Sequence, residues 1–121
     1  MGPLETAVMQ RLWDKNAPQT VRDVQEDIAT EREIAYTTVM TVMDNLHKKG
    51  LLTRSRHGRA YIYSPKESQE EYTASLLEDV LAESGDRHGV LMRFVDRLDD
   101  DVLESLRQIV QDPLRGDDRQ S

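Results

Sequence analysis

Several common chemical features are absent from this sequence of 121 residues, and each absence narrows the range of functions. It contains no cysteine, which excludes disulfides, thiolate metal sites and a cysteine nucleophile. No run of about 18 apolar residues occurs, so no membrane-spanning helix is predicted. The N-terminal residues lack a basic stretch followed by an apolar block, so no secretory signal is expected. We therefore expect a cytoplasmic protein without direct membrane insertion.

Groups that carry catalysis or bind cofactors are also scarce. There is no Ser/His/Asp grouping and no glycine-rich phosphate loop. The three histidines, His47, His57 and His88, do not have the spacing of metal ligands. The acidic run "DRLDDD" is better explained by a helix cap and a solvated face than by acid–base chemistry. We predict no enzyme activity, no metal site and no cofactor.

Acidic residues are missing from one segment, although the chain as a whole has a net charge of -7. None occurs between Asn45 and Pro65. Residues 1–66 carry 10 Lys/Arg and 8 Asp/Glu, whereas residues 67–121 carry 6 and 15, respectively. The second half should therefore repel phosphates, while the first half can meet an anion such as nucleic acid.

Apolar residues in the first half recur at helical spacing. They predict helices over Leu4–Asn16, Val21–Thr30 and Tyr36–Gly50. Thr20 and Asp23 resemble a capping box for the second helix, with Asp in place of the usual Glu or Gln. The third helix should end at its glycine. Its predicted buried side consists of Val39, Val42, Met43 and Leu46.

Two short strands are predicted after the third helix, Leu51–Arg56 and Arg59–Ser64, with His57-Gly58 at the turn. Three small helices followed by a basic hairpin indicate a winged helix-turn-helix. The predicted fold is thus mainly α with a small β-hairpin wing. Residues 1–66 should form the DNA-binding domain, and residues 67–121 a helical dimerisation domain with a frayed acidic tail.

Three further helices are predicted in the second half, around Tyr72–Glu83, over Val90–Leu98 and from Asp99 to Val110. The segment "SGDRHG" should separate the first two. The apolar residues of these helices are too many for three short helices to bury alone, which predicts a homodimer. They are Leu76, Leu77, Val80, Leu81, Val90, Leu91, Phe94, Val95, Leu98, Leu103, Leu106 and Ile109. The alternative is a monomeric helical subdomain packed on the wing.

The third helix of such a fold enters the major groove, where it meets base edges. Threonine can hydrogen-bond to bases or contact the thymine methyl group, and methionine offers apolar contact. Basic side chains of the helix end and wing bind phosphates, which sets register and affinity. The predicted DNA-binding residues from this reasoning are Thr37, Thr38, Met40, Thr41, Asn45, Lys48, Arg54, Arg56 and Arg59.

Two alternatives to DNA binding remain open at this point. The polar side of the third helix could be an ordinary solvated face beside an incidental basic turn. The winged helix could also serve as a protein-interaction module without sequence-specific DNA binding. A neutral or acidic third helix would favour that module, whereas Lys48, Lys49 and the basic wing argue against it.

Four stretches together resemble the penicillinase repressor (BlaI/MecI-type) family of bacterial transcription factors. They are "LETAVMQRLW", "TVRDVQEDI", "AYTTVMTVMDNLHKKGLL" and "HGRAYIYSP". The resemblance is dense over Leu4–Pro65 and weaker to about Val110. It implies a homodimeric repressor that binds palindromic operator DNA and controls beta-lactamase or antibiotic-response genes. By position, it adds Tyr36 to the residues that read DNA, with the wing around Arg54–Arg59.

The same resemblance implies how repression ends. In the family, a membrane-bound receptor protease, or a factor under its control, triggers cleavage among the C-terminal dimerisation helices. The family's best-known cleavage pair is Asn-Phe, and the aligned pair here is Arg93-Phe94. Phe94 is kept and Asn is not, so the resemblance does not by itself imply the same protease specificity.

Overall fold

The computed structural model describes residues 1–112. Helices dominate this part, and one antiparallel hairpin interrupts them, as predicted. The elements in chain order are α1 (Pro3–Lys15), α2 (Val21–Ala29), α3 (Tyr36–Lys48), β1 (Leu52–His57), β2 (Ala60–Pro65), α4 (Gln69–Glu83), α5 (Arg87–Arg97) and α6 (Asp100–Gln111). Apart from Asp112, the tail predicted to be frayed lies outside the described residues.

The start of α2 has the predicted capping box. The Thr20 hydroxyl accepts a hydrogen bond from the Asp23 backbone N–H at 3.1 Å, and the Asp23 carboxylate accepts one from the Thr20 N–H at 3.0 Å. Both donors would otherwise lack a partner at a helix start. α1 ends at Lys15, and the left-handed backbone of the next residue, Asn16 (φ 52°), turns the chain toward α2.

The end of α3 differs slightly from the prediction. The helix stops at Lys48, and Gly50 follows with a left-handed φ of 82°. The Gly50 N–H donates to the His47 carbonyl at 3.0 Å, and the Leu51 N–H donates to the Leu46 carbonyl at 3.0 Å. This pair of bonds is a Schellman motif. Because Leu51 belongs to it, β1 begins at Leu52 and not at the predicted Leu51.

The hairpin pairs β1 with β2 from Leu52 opposite Pro65 to His57 opposite Ala60. Gly58, with a φ of 63°, forms the turn together with Arg59. The prediction that Arg59 opens the second strand was therefore wrong, because the two-residue turn includes it. Outside this two-stranded sheet, one isolated antiparallel bridge joins Gln19 to Tyr63 of β2.

The buried core joins α1, α2, α3 and the base of the hairpin. Three of the four residues predicted for the buried side of α3 are fully buried, and Val42 is half-buried. The buried core consists of Val8, Met9, Leu12, Val21, Val24, Ile28, Val39, Met43, Leu46, Leu52 and Tyr63. Burial of these apolar side chains is the main force holding α3 and the wing together.

The break predicted between the fourth and fifth helices is shorter than expected. α5 begins at Arg87 rather than Val90, so the second half of "SGDRHG" is helical. The cause is Asp86, whose carboxylate accepts a hydrogen bond from the Gly89 N–H at 2.9 Å and caps the helix. Asp99 caps α6 in the same way through the Val102 N–H at 2.9 Å, as predicted.

The chain divides into two compact units, Met1–Ser75 and one beginning at Leu76. In the first unit, the Trp13 indole N–H donates to the Glu67 carbonyl at 3.1 Å, and its ring lies 5.5 Å from that of Tyr72. In the described part of the second unit, residues 76–112, no residue is buried. None of the helices described is long and apolar enough to cross a membrane.

Candidate nucleic-acid interface

One side of α3 is buried in the core and the remainder is open to solvent. Tyr36 and Met40, one helical turn apart, are 40% and 43% exposed, which is high for apolar side chains. Every α3 residue predicted to bind DNA is exposed. These residues are Tyr36, Thr37, Thr38, Met40, Thr41, Asn45 and Lys48. The helix therefore offers hydroxyl, amide and apolar groups together, which suits base edges in a major groove.

The N-terminal end of α3 lies beside α2. Its N-cap is Ala35, which provides no side-chain cap, and its first turn holds no acidic residue. The guanidinium of Arg22, the second residue of α2, lies 5.4 Å from the centroid of the Tyr36 ring. Arg22 forms no ion pair within residues 1–112 and is exposed. Arg22 was not predicted from the sequence, because its proximity to Tyr36 depends on how α2 packs against α3.

The tip of the wing has two arginines that form no ion pair with any described residue. Arg56 is exposed, and its guanidinium lies 5.2 Å from the centroid of the Tyr61 ring. Arg59 is exposed at the turn beside Gly58. Their positive charge is thus open to solvent, and the predicted contact with phosphates stays a prediction.

Arg54 is arranged differently from the other wing arginines. Its side chain is only 23% exposed, and one guanidinium nitrogen, Nη1, donates to Asp44 Oδ1 at 2.9 Å and to the Tyr63 hydroxyl at 3.3 Å. The guanidinium also lies 4.1 Å from the Tyr61 ring centroid. These hydrogen bonds, from Tyr63 first and then Asp44, raise the pKa of Arg54 above its usual value. Arg54 therefore joins the wing to α3, a role that the sequence reasoning did not assign to it.

Asp44 pairs with a second cation as well. Lys48, one turn further along α3, places Nζ 3.0 Å from Asp44 Oδ2. Hydrogen bonds from Lys48 and then Arg54 hold the pKa of Asp44 below its ordinary value. The sequence offered one signal for this site, since Asp44 is the single acidic residue between Tyr36 and Pro65 and precedes Lys48 by four positions.

Lys49, the residue after Lys48, also forms an ion pair, but with a different carboxylate, Glu5. Its Nζ lies 2.8 Å from Glu5 Oε2 and 3.0 Å from Glu5 Oε1, which joins the end of α3 to α1. The Lys49 hydrogen bond, followed by one from the Gly2 N–H, lowers the pKa of Glu5. Of the cations that argued for a basic reading end, Lys48, Lys49 and Arg54 are thus engaged by carboxylates.

The residues predicted to form a dimer interface remain solvent-accessible within a single chain. Those described as exposed are Leu76, Leu77, Val80, Leu91, Phe94, Leu106 and Ile109; those half-buried are Leu81, Val95, Leu98 and Leu103. Arg93 and Phe94, the predicted cleavage pair, are both exposed in α5. Apolar exposure on this scale is typical of surfaces that another chain covers.

The histidines lie apart from one another. His57 and His88 are exposed, while His47 is half-buried, with an Nδ1 atom that is buried and has no hydrogen-bond partner within residues 1–112. No group of three His, Cys, Asp or Glu side chains in the described part of the chain could hold a metal ion.

Comparison with known sequences adds to this geometry. The sequence model of the penicillinase repressor family matches residues 1–112. The chain belongs to the penicillinase repressor family. It is 44% identical over 111 residues to the transcriptional regulator BlaI of Mycobacterium tuberculosis, a match covering 89% of this chain and 80% of that protein. It is 23% identical over 112 residues to the penicillinase repressor of Bacillus licheniformis, covering 89% and 87% of the two chains.

Among solved structures, a complex of hsRosR-S1 matches with a TM-score of 0.53 at 16% identity, covering 79% of this chain and 89% of that one. This likeness concerns the fold and agrees with a winged helix. Membership of the penicillinase repressor family makes the chain a transcriptional repressor that binds DNA and is not an enzyme. The resemblance seen in the sequence and the winged-helix fold class are thereby confirmed.

Proposed function

We propose that this penicillinase repressor family member binds a palindromic operator as a homodimer and represses beta-lactamase or other antibiotic-response genes in the cytoplasm. The observation that carries the proposal is the exposed side of α3, which combines threonine hydroxyls, an asparagine amide and apolar groups beside a basic wing. The names of its relatives, transcriptional regulator BlaI and penicillinase repressor, support the choice of target genes.

Base reading is assigned to α3. Thr37, Thr38 and Thr41 would contact base edges or thymine methyl groups, and Met40 would add apolar contact. Tyr36 and Asn45 would contact DNA at the two ends of this exposed face. Because all six side chains are exposed, none of these contacts requires α3 to leave the core.

Phosphate binding is assigned first to Arg56 and Arg59 on the wing and to Arg22 on α2. All three are exposed and form no ion pair within residues 1–112, so binding a phosphate breaks no salt bridge. The predicted phosphate contacts of Lys48 and Arg54 would first require their ion pairs with Asp44 to open. Arg22 near the start of α3 and the two wing arginines would together fix the register of the DNA-binding domain, residues 1–66, on the duplex.

Dimerisation is assigned to α4, α5 and α6, in keeping with the predicted domain of residues 67–121. Residues 76–112 contain no buried side chain, yet they carry exposed leucine, valine, isoleucine and phenylalanine. A helical unit without a core of its own gains stability when a second copy covers its apolar faces. The two DNA-binding domains of such a dimer would then bind two half-sites about one helical turn apart.

Loss of repression is assigned to proteolysis near Arg93-Phe94 through a membrane-receptor protease pathway. Both residues lie exposed on α5, among the helices proposed to form the dimer. A cut there would interrupt one interface helix. The two DNA-binding domains would then separate. The protein would lose the affinity that it gains when a linked second domain binds the second half-site at high effective concentration.

Genome-wide mapping of bound DNA in the producing cell tests the proposal. One palindromic motif upstream of beta-lactamase or related genes is the expected result. Binding spread evenly over the genome would contradict sequence-specific repression. Recovery of protein complexes with no enriched DNA would instead favour the alternative, a winged-helix protein-interaction module.

A further inference from the structure

Asp44 occupies an unusual place for a carboxylate. It stands on α3, the proposed reading helix, in a stretch from Tyr36 to Pro65 that has no other acidic residue. Its side chain is 35% exposed, so part of its negative charge faces solvent on the proposed DNA side. A carboxylate near phosphates is repelled by them, and it therefore costs general affinity for DNA.

The two oxygens of Asp44 hold two different elements. Oδ2 pairs with Lys48 on the same helix at 3.0 Å, whereas Oδ1 accepts a hydrogen bond from Arg54 on β1 at 2.9 Å. Arg54 in turn donates to the Tyr63 hydroxyl on β2. One carboxylate thus connects α3 to both strands of the wing through a single arginine.

The position of Tyr63 strengthens this connection. It is buried, and its backbone N–H and carbonyl pair with Gln19 at 2.8 and 2.9 Å. The Arg54 guanidinium also lies 4.1 Å from the centroid of the Tyr61 ring, so it contacts a ring in addition to its hydrogen bonds with Asp44 and Tyr63. The planar guanidinium is suited to this combination of stacking and directional bonds.

We infer that Asp44 is a specificity-determining residue: it keeps Lys48 and Arg54 from binding phosphates at random and fixes the wing to α3. This inference rests on the proposed function and deepens it. With Asp44 in place, the wing presents Arg56 and Arg59 at a fixed position relative to the reading side chains. Phosphate contacts then form fully only where α3 also meets its bases, so discrimination rises at the expense of general affinity.

The first test uses the full-length protein without DNA. In Asp44→Asn, hydrogen exchange of the amides in β1 and β2 should accelerate relative to α1, because the link from α3 to the wing is weakened. Asp44→Glu retains the charge and should exchange more slowly than the Asn variant. Unchanged exchange in the wing of Asp44→Asn would overturn the proposed clamp, whether or not the protein binds DNA.

The second test measures affinity for operator and for random duplex over a range of salt concentrations. Asp44→Asn should steepen the log–log slope on random DNA by about 0.9 for each released cation, which corresponds to about fivefold tighter binding per cation at 0.15 M salt. Operator affinity should rise less, because a loosened wing loses its fixed register. The operator-to-random ratio should therefore fall.

Glu31→Gln is the matched control, since it also removes one carboxylate from an arginine, Arg11, which keeps Asp27 as a partner. If both variants change operator and random DNA by the same factor, Asp44 acts only through net charge and the inference is wrong.

If Asp44→Asn is unstable, Tyr63→Phe, which removes one of the two Arg54 acceptors, should lower the ratio in the same direction. An unchanged ratio there would also overturn the inference. A wild-type protein that binds no duplex would refute the proposed function, while the exchange test would still decide the clamp.

Discussion

The ring of Tyr36, the first residue of α3, lies against the guanidinium of Arg22, which is 5.4 Å from the ring centroid. The two residues belong to consecutive helices and are both exposed. A planar guanidinium that stacks on a ring keeps its N–H donors directed outward in its own plane, where they can still bind an anion. The contact therefore places a positive charge at the N-terminal end of the proposed reading helix.

Arg22→Ala should weaken binding to operator and random DNA alike, because a phosphate contact has no preference for sequence. We expect the salt-dependence slope to decrease by about 0.9. Tyr36→Leu retains the Arg22 charge and should leave that slope nearly unchanged. Arg107→Ala, which removes a charge from α6, is the control. A full slope in the Arg22 variant would exclude Arg22 from the phosphate contacts.

The wing arginines lead to a second salt experiment. Arg56→Ala and Arg59→Ala should each reduce the slope by about 0.9 on both kinds of DNA, since both side chains are exposed and unpaired with carboxylates within residues 1–112. Fluorescence anisotropy at several salt concentrations would measure this. Arg87→Ala on α5 serves as the reference. Slopes equal to wild type in both wing variants would mean that the wing does not contact the backbone.

Thr41 should behave in the opposite way. It is exposed on α3, one turn after Thr37, and is proposed to contact a base. Thr41→Ala should cost about 1–3 kcal/mol on the operator and little on random DNA. Thr73→Ala, an exposed threonine of α4, provides the comparison. Equal losses on both duplexes would make Thr41 a positioning residue rather than a reading one.

The proposed dimer interface can be tested within a single helix. Phe94 and Met92 of α5 are similarly exposed, 55% and 53%, but only Phe94 belongs to the predicted interface. Phe94→Asp should produce monomers, because a buried unpaired carboxylate is costly, whereas Met92→Asp should leave the dimer intact. Sedimentation velocity would distinguish them. A dimeric Phe94→Asp protein would place the interface elsewhere.

Induced cleavage can be tested at Arg93. Arg93→Ala should retain operator binding but block release of the promoter in induced cells, if the protease recognises the residue before Phe94. Arg97→Ala, on the same helix, should be cleaved normally. Immunoblotting during induction would follow the fragments. Cleavage of the Arg93 variant at the wild-type rate would move the site, and induction without any fragment would indicate another route.

Much of the fold follows from local patterns in the sequence. The spacing of Val39, Val42, Met43 and Leu46 revealed which side of α3 faces the core, because helical geometry places such residues on one face. The Thr20–Asp23 box was readable for the same reason, since its partners are three residues apart. The α5 start was misjudged because a glycine near a helix start is tolerated once Asp86 caps it.

Some features of the candidate site could likewise be predicted from local sequence, and others could not. The exposed polar face of α3 and the basic hairpin after it could be predicted from the sequence, because both depend on neighbours along the chain. Which positive charges are paired with carboxylates could not be predicted, because packing brings Arg54 of β1 to Asp44 and Lys49 to Glu5, whereas it brings Arg22 to the ring of Tyr36. A positive charge is neutralised by a carboxylate that lies within a few ångströms of it, and the packing of helices and strands determines those distances.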